Sequence, residues 1–242
     1  MQNFMVENKL MEETSFVDRG IEADLIITDP PYGVDFKNSF YDDSKDSVFS
    51  NIDKWLEIMF NTLKDGGHCY IFVPTLEIDK WIISSKEAGF NFKNILTTRQ
   101  KTNNPSKNNF KIDNQMILFL TKGKGNAFNE IDYQLTSEAW YKDKRNKNPK
   151  KYSYQYSSIF SFFSVNINSK KIHPNEKSVS FLELLIELSS KEGDIVYDPF
   201  LGSGATAYAA TNLNRFILGS EQDKRYFEYI VSNLEENLRS VA

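Results

Sequence analysis

The chain carries one cysteine, Cys69, and two histidines, His68 and His173, among 242 residues. One thiol cannot close an intrachain disulfide, and neither a CxxC nor an HExxH spacing occurs, which excludes disulfide scaffolds, structural zinc clusters and zinc-protease chemistry; no metal site is expected. Long apolar runs are missing too. No stretch approaches the roughly 18 apolar residues of a membrane span, and Met1 to Asp24 holds Glu7, Glu12, Glu13, Asp18 and Glu22 where a secretory signal would be apolar. A cytoplasmic protein with no membrane role is therefore expected. Two nucleotide signatures are absent as well: the GK[ST] of a phosphate-binding P-loop and the three glycines of a dinucleotide GxGxxG.

What remains is ordinary globular composition, 40% hydrophobic and 26% charged, sized for one α/β domain or one domain with a modest insertion. The net charge of −4 conceals a segregation. Between Asn91 and Ser180 stand 16 Lys and Arg against six acids, a balance of +10, which leaves −14 for the rest. Lys142, Lys144, Arg145, Lys147, Lys150 and Lys151 fall within ten residues and run into Tyr152, Tyr154 and Tyr156. Positive charge beside stackable rings suits a polyanion bearing bases. A Lys/Asn-rich tract reads equally well as a solvated loop, so the tract needs support from elsewhere.

The apolar run Ala23 to Thr28 stops at Asp29-Pro30-Pro31-Tyr32-Gly33, which no helix or central strand continues through, so a buried strand ends there in a rigid loop. Ser50 with Asp53 resembles a capping signal for a helix through Trp55, Ile58, Met59 and Leu63 that Gly66-Gly67 would end. Strands are expected at Cys69 to Val73, Phe90 to Thr98 and Gln115 to Thr121, with a helix from Thr75 to Ala88 between the first two. Phe4 to Glu7 is a weak further strand. Asn126 to Lys171 breaks the rhythm and reads as an irregular insertion. Alternation resumes with a helix from Val179, a strand Ile195 to Tyr197, a glycine turn, a helix to Leu213, a strand Phe216 to Leu218 and a last helix from Arg225. The pattern predicts a mostly parallel sheet with helices on both faces.

Two constellations carry chemistry. Asp198-Pro199-Phe200-Leu201-Gly202-Ser203-Gly204 lies between a strand and a helix, where doubly wound sheets bind nucleotide-like ligands, and the glycines let backbone approach such a ligand. Glu221 follows at the next strand tip, where a carboxylate can accept both hydroxyls of a ribose. A nucleoside-containing cofactor follows from the pair. In the other constellation, Asp29 and the carbonyl of Pro30 offer two rigid acceptors for the hydrogens of an exocyclic amine, and Tyr32 offers a face for stacking. Such bonds favour a pyramidal nitrogen whose lone pair is free to attack a methyl group, with no enzyme nucleophile required. Cys69 sits in an apolar run and is expected in the core, with Trp55 and Trp81. Trp140 and Tyr141, beside the basic tract, are the better candidates for nucleic-acid contact.

DPPY after an early strand and DPFLGSG after a late one, in that order, resemble the beta class of amino-group DNA methyltransferases that use S-adenosylmethionine. Leu63-Lys64-Asp65-Gly66-Gly67, His173-Pro174-Asn175-Glu176-Lys177 and Gly219-Ser220-Glu221 agree with it, although Ser178 stands where the family usually has proline. The resemblance implies a Rossmann-like methyltransferase fold with circularly permuted motif order. Residues 1–125 would be its catalytic half, 126–171 an irregular basic target-recognition insertion and 172–242 its cofactor-binding half. It implies Asp29, Pro30, Pro31 and Tyr32 as catalytic; Asp29, His173, Lys177, Asp198, Phe200, Gly202, Ser203, Gly204 and Glu221 around S-adenosylmethionine; and the six basic residues from Lys142 to Lys151 on double-stranded DNA, whose target base is flipped out. Glu7 is a further candidate for a cofactor contact, and Phe36 to Phe49 a lid over the base or a passive loop. The leading Asp favours adenine-N6, since cytosine-N4 relatives more often begin with Ser. Cytosine-N4 methylation and a non-catalytic DNA-binding subunit are the alternatives. A homodimer and a companion restriction endonuclease are compatible partners.

Overall fold

The computed structural model describes residues 3–34, 43–99, 108, 110, 112–129, 159–160 and 177–241. In chain order the elements are β1 (Phe4–Glu7), a short α1 (Ser15–Asp18), β2 (Ala23–Thr28), α2 (Lys45–Thr62), β3 (Leu63–Val73), α3 (Ile78–Glu87), β4 (Asn91–Arg99), β5 (Asn114–Thr121), β6 (Ile159–Phe160), α4 (Val179–Ser189), β7 (Ile195–Asp198), α5 (Ala205–Asn212), β8 (Phe216–Ser220) and α6 (Lys224–Val241). The strands form one sheet in the order β1-β8-β7-β2-β3-β5-β4-β6. All neighbours run parallel except β5, which is antiparallel to both β3 and β4. The sheet is thus mostly parallel, as the alternation of apolar runs and helices implies.

Strand residues divide by parity. Leu25, Ile27, Tyr70 and Phe72 point to one face, where Phe181, Leu185, Ala209 and Ile230 of α4, α5 and α6 cover them. Ile26, Cys69, Ile71 and Val73 point to the other, under Ile52, Trp55, Leu56 and Met59 of α2 and Trp81 of α3. With both faces covered, β2 reads as an uninterrupted apolar run rather than an alternating one. Cys69, Trp55 and Trp81 are core residues.

The start and stop of α2 differ from the sequence reading. Ser44 is the cap, its side chain accepting from the Ser47 N–H, while Ser50 lies inside the helix and donates to the Ser47 carbonyl. The helix stops at Thr62 because Leu63 turns directly into β3. Gly66 and Gly67 are then strand residues: the Gly66 N–H donates to Lys122 O and the Lys122 N–H to Gly67 O. Of the loop expected at Phe36 to Phe49, residues from Lys45 onward are the first turns of α2, and 36–42 lie outside the described residues.

From β2 the chain passes through α2 to β3 on one side, and from β7 through α5 to β8 on the other. The chain therefore diverges between β2 and β7, and open α/β sheets bind ligands in the crevice beyond the strand ends at such a point. No described helix is long and apolar enough to cross a membrane.

Candidate active site

Asp29 to Gly33 leaves the end of β2, and Asp198 to Gly204 leaves the end of β7 beside it, with Leu25 opposite Val196 and Ile26 opposite Tyr197. Thr28 joins the two, its Oγ1 donating to Asp198 Oδ1 over 2.8 Å.

On the β2 side, the Tyr32 hydroxyl donates to Asp29 Oδ1 at 2.5 Å and lies 3.2 Å from Gln115 Oε1. Gln115 is 7% exposed. Its amide nitrogen donates to Val73 O at 3.0 Å and Met116 O at 3.2 Å, so its oxygen must face Tyr32. Lys177 reaches in from the residue before the Ser178 cap of α4. Its Nζ is 2.6 Å from Asp29 Oδ2, 3.5 Å from the Tyr32 hydroxyl and 4.9 Å from the centre of the Phe72 ring. Gly33 closes the loop: its N–H donates to buried Asp43 Oδ1 at 2.8 Å, and at φ +70° a Cβ would stand 3.1 Å from the Cα of Lys45.

On the β7 side, Asp198 is 2% exposed. Burial raises its carboxyl to about 6, against the pull of hydrogen bonds from Thr206, Thr28 and the Phe200 N–H, and the charge of Asp29 adds to the rise. Glu221 is 9% exposed at the tip of β8. Its Oε2 accepts from the Gly202 N–H at 2.8 Å and its Oε1 from the Asp223 N–H at 2.7 Å, yet burial still lifts it to about 7. At Gly202 (φ +53°) a Cβ would meet only the Phe200 carbonyl oxygen, at 4.0 Å, while at Gly204 (φ +85°) it would meet Ile230 at 2.8 Å. Ser203 is buried, and the Phe200 ring meets Trp55 edge-on at 5.0 Å. Nearby, the Asn8 side chain donates to the Glu221 and Gln222 carbonyls.

Two buried carboxylates with raised pKa beside a glycine with room at its Cβ position fit a ligand that supplies hydroxyl or ammonium donors. The chain from residue 23 to 232 matches the family model described as DNA methylase, of the N6/N4 group. The chain belongs to the N6/N4 DNA methylase family. This methylase is 31% identical over 222 residues to the Type II methyltransferase M.HpaI of Haemophilus parainfluenzae, covering 88% of this chain and 68% of that protein. It is 30% identical over 216 residues to M.BamHI of Bacillus amyloliquefaciens, covering 82% of this chain and half of that protein. Its fold matches a crystal structure of an M1.HpyAVI–SAM complex with a TM-score of 0.71 at 24% identity, over 96% of this chain and 98% of that one. It also matches the cytosine-N4-specific PvuII DNA methyltransferase with a TM-score of 0.70 at 14% identity, over 95% and 85%. As a member of the family the methylase is an amino-group DNA methyltransferase, and S-adenosylmethionine is that family's methyl donor.

The methylase brings Asp29, Pro30, Pro31, Tyr32, Lys177, Asp198, Phe200, Gly202, Ser203, Gly204 and Glu221 to one edge of the sheet. Lys177, expected with Asp29 among the cofactor contacts, meets Asp29 and Tyr32. The Glu7 carboxylate accepts from the Ser15 N–H and hydroxyl at the start of α1 and pairs with Lys9. His173, Trp140, Tyr141 and the basic residues Lys142, Lys144, Arg145, Lys147, Lys150 and Lys151 lie outside the described residues. Sequence reasoning assigned no role to Gln115, Thr28, Asp43 or Asn8. For Gln115 a signal existed, an amide at the threshold of the apolar run Met116 to Leu120 where a buried strand begins.

Proposed function

We propose that the methylase modifies the exocyclic N6 amine of an adenine flipped out of a specific double-stranded DNA sequence. The observation that supports this best is the placement of the Asp29 carboxylate at the tip of β2, backed by Tyr32 and tied through Thr28 to Asp198 on the neighbouring strand. Asp29 and the Pro30 carbonyl accept the two amine hydrogens, which frees the nitrogen lone pair, and the Asp29 charge stabilises the positive charge that grows on that nitrogen. Pro31 keeps the loop rigid, and Tyr32, its hydroxyl held by Asp29 and Gln115, presents its ring to the base. S-adenosylmethionine, when bound, supplies the electrophilic methyl group. Glu221 holds its ribose hydroxyls, Gly202 and Gly204 bring backbone close to it, and Asp198, Phe200 and Ser203 line the rest of the site.

The leading Asp of the DPPY loop favours adenine over cytosine. Residues 126–171, with the tract Lys142 to Lys151, supply the backbone contacts that offset unstacking of the base. The relatives' designation as Type II methyltransferases supports a restriction–modification role with a cognate endonuclease. The test incubates the protein with unmethylated DNA and S-adenosylmethionine, digests the DNA to nucleosides and identifies methylated bases by mass spectrometry. N6-methyladenine is expected with the wild type and none with Asp29→Ala. N4-methylcytosine would replace the substrate in this reading, and turnover by Asp29→Ala would remove Asp29 from it.

A further inference from the structure

Both oxygens of the Asp29 carboxylate are engaged: Oδ1 by the Tyr32 hydroxyl and Oδ2 by the Lys177 ammonium at 2.6 Å. The side chains of Lys177 and Asp29 are only 17% and 24% exposed, so the pair is largely withdrawn from water. The ammonium also sits 4.9 Å from the centre of the Phe72 ring and 5.8 Å from that of Tyr32. A nitrogen with hydrogens pointed at Asp29, flanked by aromatic rings, has the chemistry of an exocyclic amine seated for reaction.

That arrangement opposes methyl transfer. The reaction builds positive charge on the amine nitrogen, and Asp29 can stabilise it only with its own charge uncompensated. A second unit positive charge about 4 Å from that nitrogen, at the effective dielectric of a protein, slows transfer on the order of a thousandfold. The ammonium therefore has to leave before the base can react. Its four-carbon stem permits this without backbone movement, while its Cα stays fixed beside the Ser178 cap, whose carbonyl accepts from the Phe181 and Leu182 N–H groups.

We propose that Lys177 occupies the seat of the target amine on Asp29 in the DNA-free enzyme and is displaced by the flipped base. Asp29 then exchanges one N–H donor for another and is never left buried without a partner, and each flipping event competes against the enzyme's own side chain. This inference rests on the reading of Asp29 as the acceptor for the target amine. It makes Lys177 a positioning residue that sets the flipping equilibrium.

The test uses a duplex with 2-aminopurine at the target position, whose fluorescence reports extrusion of the base, and Lys177→Met, which keeps the apolar stem over Phe72 and removes the competing ammonium. The flipped fraction and the affinity for target DNA are expected to rise at least fivefold, with affinity for non-target DNA unchanged, and Lys177→Arg is expected to restore the wild-type fraction. An unchanged or lower flipped fraction in a Lys177→Met protein that melts at the wild-type temperature overturns the proposal. Wild-type protein labelled with nitrogen-15 lysine gives a second reading that needs no variant. The ion-paired Lys177 ammonium resonance is expected to vanish on adding target DNA and to persist with non-target DNA, and persistence with both overturns the proposal. Retained turnover by Asp29→Asn would instead defeat the underlying assignment of Asp29, an outcome separate from either of these.

Discussion

Replacing Asp198 with asparagine removes a charge that burial makes costly while keeping the shape that Thr28, Phe200 and Thr206 grip. The carboxyl rises from an ordinary 3.8 to about 6, with desolvation the largest cause. Two units at about 1.4 kcal/mol each come to about 3 kcal/mol. The sign follows from which state holds the proton more tightly. Well below pH 3.8 the group is protonated folded or unfolded and contributes nothing. As pH rises through 4 to 6 the unfolded chain ionises first, and folded-state stability falls by that amount and stays lower above pH 6. The asparagine oxygen can accept from Thr28 and the Phe200 N–H as Asp198 Oδ1 does now, and the hydroxyl of Thr206 can turn to accept from the new amide. Urea unfolding of both proteins from pH 4.5 to 8.5, without ligand, is the assay. Asp198→Asn should exceed the wild type by about 1 kcal/mol near pH 4.5 and by about 3 kcal/mol at pH 8, since other titrating groups cancel in the difference. A difference that does not change with pH, or that favours the wild type more as pH rises, refutes the reasoning.

Glu221→Gln sheds a charge that burial also makes costly, but both oxygens accept from backbone N–H groups and an amide nitrogen would face a donor; its gain over the wild type by urea unfolding at pH 8 should fall short of that of Asp198→Asn by about 1–3 kcal/mol. Gly202→Ala and Gly204→Ala both place a side chain at positive φ, but only the latter meets Ile230 at 2.8 Å. Melting temperature should therefore drop further for Gly204→Ala, while calorimetric S-adenosylmethionine affinity should drop for Gly202→Ala despite a cost near 1 kcal/mol. Trp81 is fully buried with its indole N–H unpartnered, so Trp81→Phe should cost well below the roughly 3–5 kcal/mol of Trp81→Ala. Truncating Lys142, Lys144 and Arg145 together should lower the slope of log affinity for DNA against log salt by about 3.

The sheet was legible because β2, β7 and β8 are buried on both faces and read as short apolar runs cut by turn residues. Direction was not: the apolar run Met116 to Leu120 has no feature that marks β5 as reversed between β3 and β4. The α2 boundary went astray because Ser50 and Asp53 carry a capping spacing that the chain does not use, and Ser44 six residues earlier does the work. Gly66-Gly67 looked like a helix stop because glycine permits many backbones, and only pairing with Lys122 selects the extended one. The two motif loops could be read because each needs a specific local chemistry. The Lys177 contacts could not, since they join residues 145 positions apart through side chains that no local pattern couples.

The adjacency of β2 and β7 has a consequence for synthesis. Their register pairs Leu25 with Val196, 171 positions later, so β2 leaves the ribosome roughly 10–30 s before the strand that covers its open edge. Until then the apolar run Ala23 to Thr28 is an exposed edge flanked on one side only by β3, the kind of surface that recruits foreign strands. The DPPY loop is also translated long before β7, so a nascent chain holds it without the Thr28–Asp198 bond that ties it to its neighbour. The pairing of the two motif loops thus arrives only with β7, and the open edge of β2 lasts for the whole of that interval.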